Sequence, residues 1–193
     1  MLINEAGLVR AIKYAYKHGG YTVVTEPDTI HIYTMAWYIR SDRARLPRKA
    51  LAAIVEHMGM IPEENAPVAI EKDGDPQIVL QDVARNDMDR WRTGETGAEV
   101  TMVPVIMQGY QVFQEPGGGQ CWGVPLSCLG ILERDEAEHR SATVVGTDRM
   151  AWKNEGEAVV LGAVRKATSG WAKAWERAVW QALESVDLHK EDI

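Results

Sequence analysis

The spacing of apolar residues predicts helices at both ends of the chain and strands between them. Asn4 is placed to cap a first helix, and a pair of glycines at 19–20 ends it. Residues 21–26 and 30–34, joined by a short turn at 27–29, predict two strands, the second of which we expect to continue through 35–40. The inner face of the first helix is predicted to consist of Leu8, Ala11, Ile12 and Ala15.

A second helix is predicted to begin at Pro47 and to stop at Gly59. The first 60 residues therefore have the order α-β-β-α, and residues 61–193 are β-rich up to a terminal helix. Because helices flank a β-rich middle, we predict a single α+β domain over 1–193, with a subdivision after residue 60 as the alternative. The inner face of this second helix is predicted to consist of Leu51, Ile54, Val55 and Met58.

The middle of the chain carries signals for turns and short strands. The segment EKDGDP at 71–76 separates two apolar runs, which predicts a hairpin or, through Asp75-Pro76, a helix cap. Pro104 marks a bulge or an edge strand, and Gly109 a turn. A helix is predicted at 83–91 and strands at 68–70, 78–80, 100–107, 110–114, 124–126, 131–132 and 143–145, while 159–164 fits either strand or helix.

The terminal helical segment has tryptophans on both of its faces. Trp180 falls among charged residues, opposite the apolar face, and a cap is predicted at Thr168 or Ser169. Tryptophan is a favoured anchor at interfaces, so Trp180 indicates either an intramolecular contact or a homodimer interface that includes Glu176 and Lys173. The apolar face, predicted to turn inward, consists of Trp171, Trp175, Ala178, Val179, Ala182 and Val186, and the charged face of Lys173, Glu176, Glu184 and Asp187.

Composition places the chain among ordinary globular proteins. It has 193 residues, of which 46% are hydrophobic and 25% charged, and no apolar run approaches the roughly 20 residues of a membrane span. The N-terminus lacks the apolar segment of a secretory signal, and two cysteines are too few for a disulfide framework. We therefore expect a cytoplasmic protein that does not interact with membranes.

The net charge of −7 is unevenly distributed, because residues 1–55 are basic and the rest of the chain is acidic. Arg48 and Lys49 fall in the first turn of the second predicted helix, where the helix dipole disfavours positive charge. This arrangement predicts contact with nucleic acid or with an acidic protein face; an ordinary solvated loop is the alternative. The basic cluster, as we call it, consists of Arg40, Arg43, Arg45, Arg48 and Lys49.

The segment PGGGQCWG at 116–123 is the one candidate for catalysis. Cys121 could act as the nucleophile of a cysteine hydrolase if the fold supplied a histidine base, but none of the five histidines has a telling spacing. The alternative is a small buried thiol beside a flexible loop. The glycines match neither a phosphate loop nor a dinucleotide fingerprint, and the cysteines lack metal-site spacing. We expect neither a cofactor nor a metal.

Two stretches, LPRKALAAIVEHMG at 46–59 and VRKATSGWAKAWERAVW at 164–180, resemble small proteins carried by prophages and conjugative elements of gut Firmicutes. Such proteins include the type II anti-CRISPR proteins that inhibit Cas9. The resemblance implies a non-enzymatic protein that binds a host defence nuclease, such as Cas9 with its guide RNA or DNA, and occludes a binding surface. It assigns no role to any residue. The alternatives are the Cys121 hydrolase and a structural or regulatory protein of a mobile element.

Overall fold

The computed structural model describes residues 1–79, 97–133 and 140–190. The chain divides into two compact units. The first consists of Met1–Glu95, Gly130–Glu133 and Lys153–Val160, and the second of Thr96–Leu129, Arg134–Trp152 and Leu161–Ile193.

The first unit is built from two helices and an antiparallel meander. Its strands follow the order β5-β4-β1-β2-β3-β11, in which β1 pairs antiparallel with both β2 and β4, and β2 with β3. The elements are α1 (Glu5–Lys17), β1 (Tyr21–Thr25), β2 (Thr29–Tyr33), β3 (Trp37–Asp42), α2 (Arg48–Met58), β4 (Val68–Ile70), β5 (Gln77–Ile78) and the first part of β11 (Glu157–Gly162).

Helix α1 has the cap and the inner face that the sequence predicts. The Asn4 side chain accepts a hydrogen bond from the Gly7 amide at 2.8 Å, and Leu8, Ile12 and Ala15 are buried. Gly7 is part of the same face because a Cβ at that position would overlap the carbonyl oxygen of Gly130. Helix α1 therefore packs directly on the backbone at Gly130, and this close approach requires glycine at position 7.

Two expectations for the first unit are wrong. Residues 35–40 do not extend β2. The Thr34 hydroxyl accepts hydrogen bonds from the backbone amides of Ala36 and Trp37, and the chain turns there and forms a separate strand, β3. Val55 is exposed on α2, because the helix turns Ala50 and Ala53 rather than Val55 towards the core. Gly59 ends α2 with a positive φ of 76°, as predicted. The buried face of α2 consists of Ala50, Ala53, Ile54 and Met58.

The second unit is an antiparallel sheet in the order β10-β9-β6-β7-β8, followed along the chain by the terminal helix. The pairing of β6 with β7 shifts register between Met102 and Ile106, so the bulge predicted at Pro104 is confirmed. The elements are β6 (Glu99–Met107), β7 (Tyr110–Gln114), β8 (Cys121–Pro125), α3 (Leu126–Leu129), β9 (Ser141–Val145), β10 (Arg149–Lys153), the end of β11, and α4 (Ala174–Glu184).

The fold class is α+β with helices at both ends around a β-rich middle, as predicted. The predicted hairpin at 68–80 is present as β4 and β5, and 159–164 is largely strand. Residues 131–132 form no strand; Leu132 makes an isolated bridge with Ile3. The helix predicted at 83–91 lies outside the described residues. No described helix is long and apolar enough to cross a membrane.

Candidate interaction surfaces

Helix α4 turns inward the face that the sequence predicts to be outside. Trp180 is 0% exposed, whereas Trp171 is 67% and Trp175 57% exposed. The predicted orientation of this helix is therefore wrong. Trp180 belongs to the core, as expected from the intramolecular contact that was one of its two interpretations. The apolar residues predicted to turn inward, which we call the outer stripe, are all exposed. Four lie on α4, namely Trp175, Ala178, Val179 and Ala182, and Trp171 and Val186 lie just outside its two ends.

The ring of Trp180 is held in a cluster formed by the sheet of the second unit. A Cβ at position 123 would lie 2.7 Å from Cη2 of the ring, so Gly123 provides the space that the indole occupies. A lone glycine inside an apolar strand pattern can signal such a close approach, and this was the sequence signal that could have located the ring. The buried members of the cluster are Val103, Val112, Cys121 and Ala167.

The two glutamates beside Trp180 face inward, where the second unit supplies each with partners. The Glu184 carboxylate accepts hydrogen bonds from Arg165 at 2.9 and 3.2 Å, and from the Cys121 amide at 3.1 Å. Glu176 accepts from the Lys173 amide at 2.8 Å and lies 3.4 Å from the buried Lys166 ammonium. These contacts, the Lys173 amide first, lower the pKa of Glu176. These hydrogen bonds and ion pairs offset much of the free-energy cost of removing the two carboxylates from water.

Two further contacts define the ends of α4. The helix is capped at Lys173, so the predicted cap at Thr168 or Ser169 is wrong. At the other end the buried Gln114 amide donates to the carbonyls of Leu183 and Val186, at 3.3 and 2.8 Å. Gln114 lies on β7, distant in sequence, and no local pattern points to this anchor.

The residues of the predicted dimer interface, Trp180, Glu176 and Lys173, do not form one exposed surface. Trp180 is fully buried and the Glu176 side chain binds within its own unit, while Lys173 is exposed. The uncovered apolar surface lies on the opposite side of the helix. The homodimer remains a prediction, but the face that could form it is the outer stripe.

The basic cluster lies on β3, at the start of α2 and in the loop between them. Three of its cations face carboxylates: Arg43 lies 3.4 Å from Glu64, Arg45 3.6 Å from Asp42 and Lys49 3.2 Å from Glu5. The Lys49 backbone amide and ammonium lower the pKa of Glu5. Arg40 is half-buried, and its Nε has no hydrogen-bond partner within the described ranges. The exposed Arg48 forms no ion pair with any residue that the structure describes.

Cys121 is in an environment that opposes nucleophilic chemistry. Its side chain is fully buried under α4, and burial, reinforced by the Glu184 carboxylate, raises the pKa of the thiol to about 12. A reactive cysteine needs the opposite shift, because the thiolate is the nucleophile. Among the described residues no histidine is hydrogen-bonded to this thiol, whose contact at 3.7 Å is with the Gly119 carbonyl.

A buried polar network on β2 and β3 was missed by the sequence analysis. His31 is 0% exposed; its Nδ1 meets the Tyr38 hydroxyl, and its Nε2 lies 3.3 Å from the Glu26 carboxylate and 3.2 Å from the Thr29 hydroxyl. Glu, His and Tyr in a chain could relay a proton. Here the imidazole and the Tyr38 ring lie inside the unit and the Glu26 carboxylate is partly exposed, so the network joins β2 to β3 and keeps its two rings away from solvent.

Comparisons with known proteins assign no family. No protein-family model matches the chain, and no curated protein matches its sequence. One similar solved structure is the DNA polymerase III β subunit of Thermotoga maritima, at 9% identity and a TM-score of 0.31. The match covers 92% of this chain and 66% of that one, so this chain spans about two thirds of that protein. A likeness at this level carries no argument. Within the described ranges, no group of three or more His, Cys, Asp or Glu side chains could hold a metal ion.

Proposed function

We propose that the protein is a non-enzymatic binding protein that acts by covering a surface of another macromolecule. The support comes from surface that the fold leaves uncovered, which consists of the exposed cations of the basic cluster and of the outer stripe, where two tryptophans remain more than half exposed. Exposed apolar surface of this kind marks interaction sites, and tryptophan contributes strongly to binding energy at interfaces. A cysteine hydrolase is disfavoured because Cys121 is buried and its pKa is raised.

Two surfaces have separate roles in this proposal. The outer stripe joins two copies of the chain into the homodimer that the sequence predicts. The basic cluster faces the partner, for which the resemblance to mobile-element proteins suggests a host defence nuclease such as Cas9 with its guide RNA or DNA. Exposed ion pairs contribute only about 0–1 kcal/mol. Arg43, Arg45 and Lys49 can therefore exchange their own carboxylates for phosphates or for acidic side chains of a partner at little cost.

The test is inhibition of DNA cleavage by Cas9–guide RNA complexes from Firmicutes. We expect the wild-type protein, added in stoichiometric amounts before the target DNA, to suppress cleavage, and binding to weaken steeply as salt rises. The variant Arg43→Glu/Arg48→Glu should lose most of this inhibition. Cys121→Ala should retain it.

The matched control is Arg10→Glu/Lys17→Glu, which makes the same change of net charge at exposed positions of α1. Loss of inhibition by the cluster variant alone supports the proposed surface. Equal loss in both variants would instead indicate a general effect of net charge. No inhibition by wild-type protein at tenfold excess would contradict the Cas9 proposal.

A further inference from the structure

The outer stripe has a spacing that is unchanged when the direction of the chain is reversed. Its six positions, from 171 to 186, are separated by intervals of 4, 3, 1, 3 and 4 residues. The centre of this pattern lies between Ala178 and Val179, which are neighbours in the middle of α4. A pattern with this symmetry matches an antiparallel copy of itself, position for position.

We infer that two copies of the chain pair their α4 helices antiparallel, about a two-fold axis that passes between Ala178 and Val179. This inference rests on the proposed function, whose homodimer it describes in detail. In this register Trp175 of each copy lies against Ala182 of the other, while Trp171 and Val186, in the segments just before and after the helix, extend the contact at its two ends. A two-fold contact uses one patch twice, so every such pair occurs two times in the interface.

The sizes of the paired side chains support this register. The large Trp175 ring meets the small Ala182 in both halves of the contact, so the ring fills the space left by a small side chain, as close packing requires. A parallel pairing in register would place Trp175 against Trp175 and Ala178 against Ala178. That arrangement would crowd one end of the contact and leave a gap in its middle.

Charge also favours a second copy over a charged partner. None of the six residues of the outer stripe is charged, and the adjacent Ala174 and Ser185 are uncharged as well. A charge close to a two-fold axis would lie opposite its own copy and be repelled. The centre of protein interfaces is depleted of charge and enriched in aromatic residues, as this stripe is.

The available area is sufficient for a dimer of modest affinity. Trp171 and Trp175 are 67% and 57% exposed, which leaves on the order of 150 Å² of each ring to be buried. With the four smaller residues and both copies included, the total is roughly 1,000 Å², at the lower limit for a specific interface. An interface at this limit is typical of transient association, so we expect the change from monomer to dimer to fall in the micromolar range.

The first experiment measures association by sedimentation velocity between about 1 and 200 μM. The wild-type protein should change from monomer to dimer over this range, and Trp175→Glu should weaken dimerisation by at least about tenfold. The control is Ile106→Glu, which introduces the same charge at another exposed apolar position of the second unit and should leave dimerisation unchanged. A wild-type protein that stays monomeric at 200 μM would overturn the inference.

The second experiment tests the register by exchanging large and small residues. Trp175→Ala removes the ring that fills the space above Ala182, and Ala182→Trp places two rings in the same space, so each variant should dimerise at least about tenfold more weakly. The double variant Trp175→Ala/Ala182→Trp restores one large and one small residue to each pair and should recover most of the wild-type affinity. Because these positions are exposed, circular dichroism should show all three variants folded.

These outcomes separate the inference from the proposed function. If the double variant fails to recover dimerisation, the antiparallel register is wrong even though the stripe still joins the subunits. If the protein is monomeric but the basic-cluster variant still loses nuclease inhibition, the inference fails and occlusion of the partner stands. If the dimer forms as described but no nuclease is inhibited, the antiparallel pairing of α4 stands and the proposed inhibition of a nuclease fails.

Discussion

Helices α1 and α4 are both amphipathic, yet only α1 buries its apolar face. In α1, Leu8, Ile12 and Ala15 are buried against the first unit. In α4, the corresponding face carries Trp175 and Val179 and is exposed, while the face with Glu176, Trp180 and Glu184 packs against the second unit.

The difference arises from what each unit offers to the helix. On the first unit, α1 meets the bare backbone at Gly130, which requires small or apolar side chains. On the second unit, α4 meets a space above Gly123 that fits an indole, with Arg165 and Lys166 beside it to pair with carboxylates. The apolar face of a helix therefore does not by itself show which side of the helix packs on the core. The surface of the unit against which the helix packs decides which face is buried.

The largest difference in stability should appear between two variants, each of which truncates the tryptophan on one face of α4. Trp180→Ala empties a filled core site and should lower the free energy of unfolding by about 3–5 kcal/mol. Trp175→Ala removes an exposed ring and should change the stability of the monomer by no more than about 0.5 kcal/mol. Urea denaturation at low micromolar concentration, where the monomer dominates, measures both. Comparable losses in the two variants would contradict the orientation of α4.

Most regular elements could be predicted from local patterns. Cap and stop residues located α1 and the end of α2, and a turn signal located the hairpin of β4 and β5. The strand β10 was missed, because Arg149–Lys153 mixes charged and apolar residues without a clean alternation. The separate strand β3 was merged with β2, because the turn at Thr34 is made by a hydroxyl rather than by glycine or proline.

The candidate surfaces were harder to predict because they depend on contacts between distant segments. The residues of the outer stripe were grouped correctly, but their direction was set by Arg165, Gln114 and Gly123, which lie outside the helix. The basic cluster was found from sequence alone, whereas its partners Glu5 and Glu64 lie far from it in the chain. Its role in binding stays a prediction.

A smaller effect should come from the two glycines at the helix contacts, Gly7 within α1 and Gly123 under α4. In Gly7→Ala the new methyl meets the Gly130 carbonyl, which cannot move without displacing the chain, so stability should fall by about 1–3 kcal/mol or more. In Gly123→Ala the methyl meets the side chains of Trp180 at 2.7 Å and Tyr110 at 3.0 Å rather than backbone, so the loss should lie at the lower end of that range.

Gly170→Ala provides the control for both glycine variants. Nothing lies within 4 Å of a Cβ at that position and its φ is not positive, so stability should be nearly unchanged. Thermal unfolding of the four proteins under one condition gives the ranking. A Gly123 variant that is much less stable than the Gly7 variant would show that Trp180 is held more rigidly than the α1 contact.

The smallest effect should be a pH dependence that arises beneath α4. The pKa of Cys121 is raised from about 9 to about 12, because burial and the Glu184 carboxylate oppose the thiolate. Below pH 9 the thiol is neutral in both the native and the unfolded chain and contributes no pH dependence. Above pH 9 it ionises in the unfolded chain first, so the free energy of unfolding should fall as pH rises towards 12, by at most about 1.4 kcal/mol per pH unit.

Urea midpoints at pH 8, 9.5 and 10.5, compared between the wild type and Cys121→Ala, isolate this contribution. Other groups that titrate in the range, including Cys128 and Tyr21, are present in both proteins, and their effects cancel in the difference. The alanine variant should start less stable at pH 8, because it leaves a small cavity, and should lose less stability as pH rises. Parallel pH profiles would mean that the thiolate is tolerated under α4, and that this inner face is less closed to solvent than the buried Trp180 indicates.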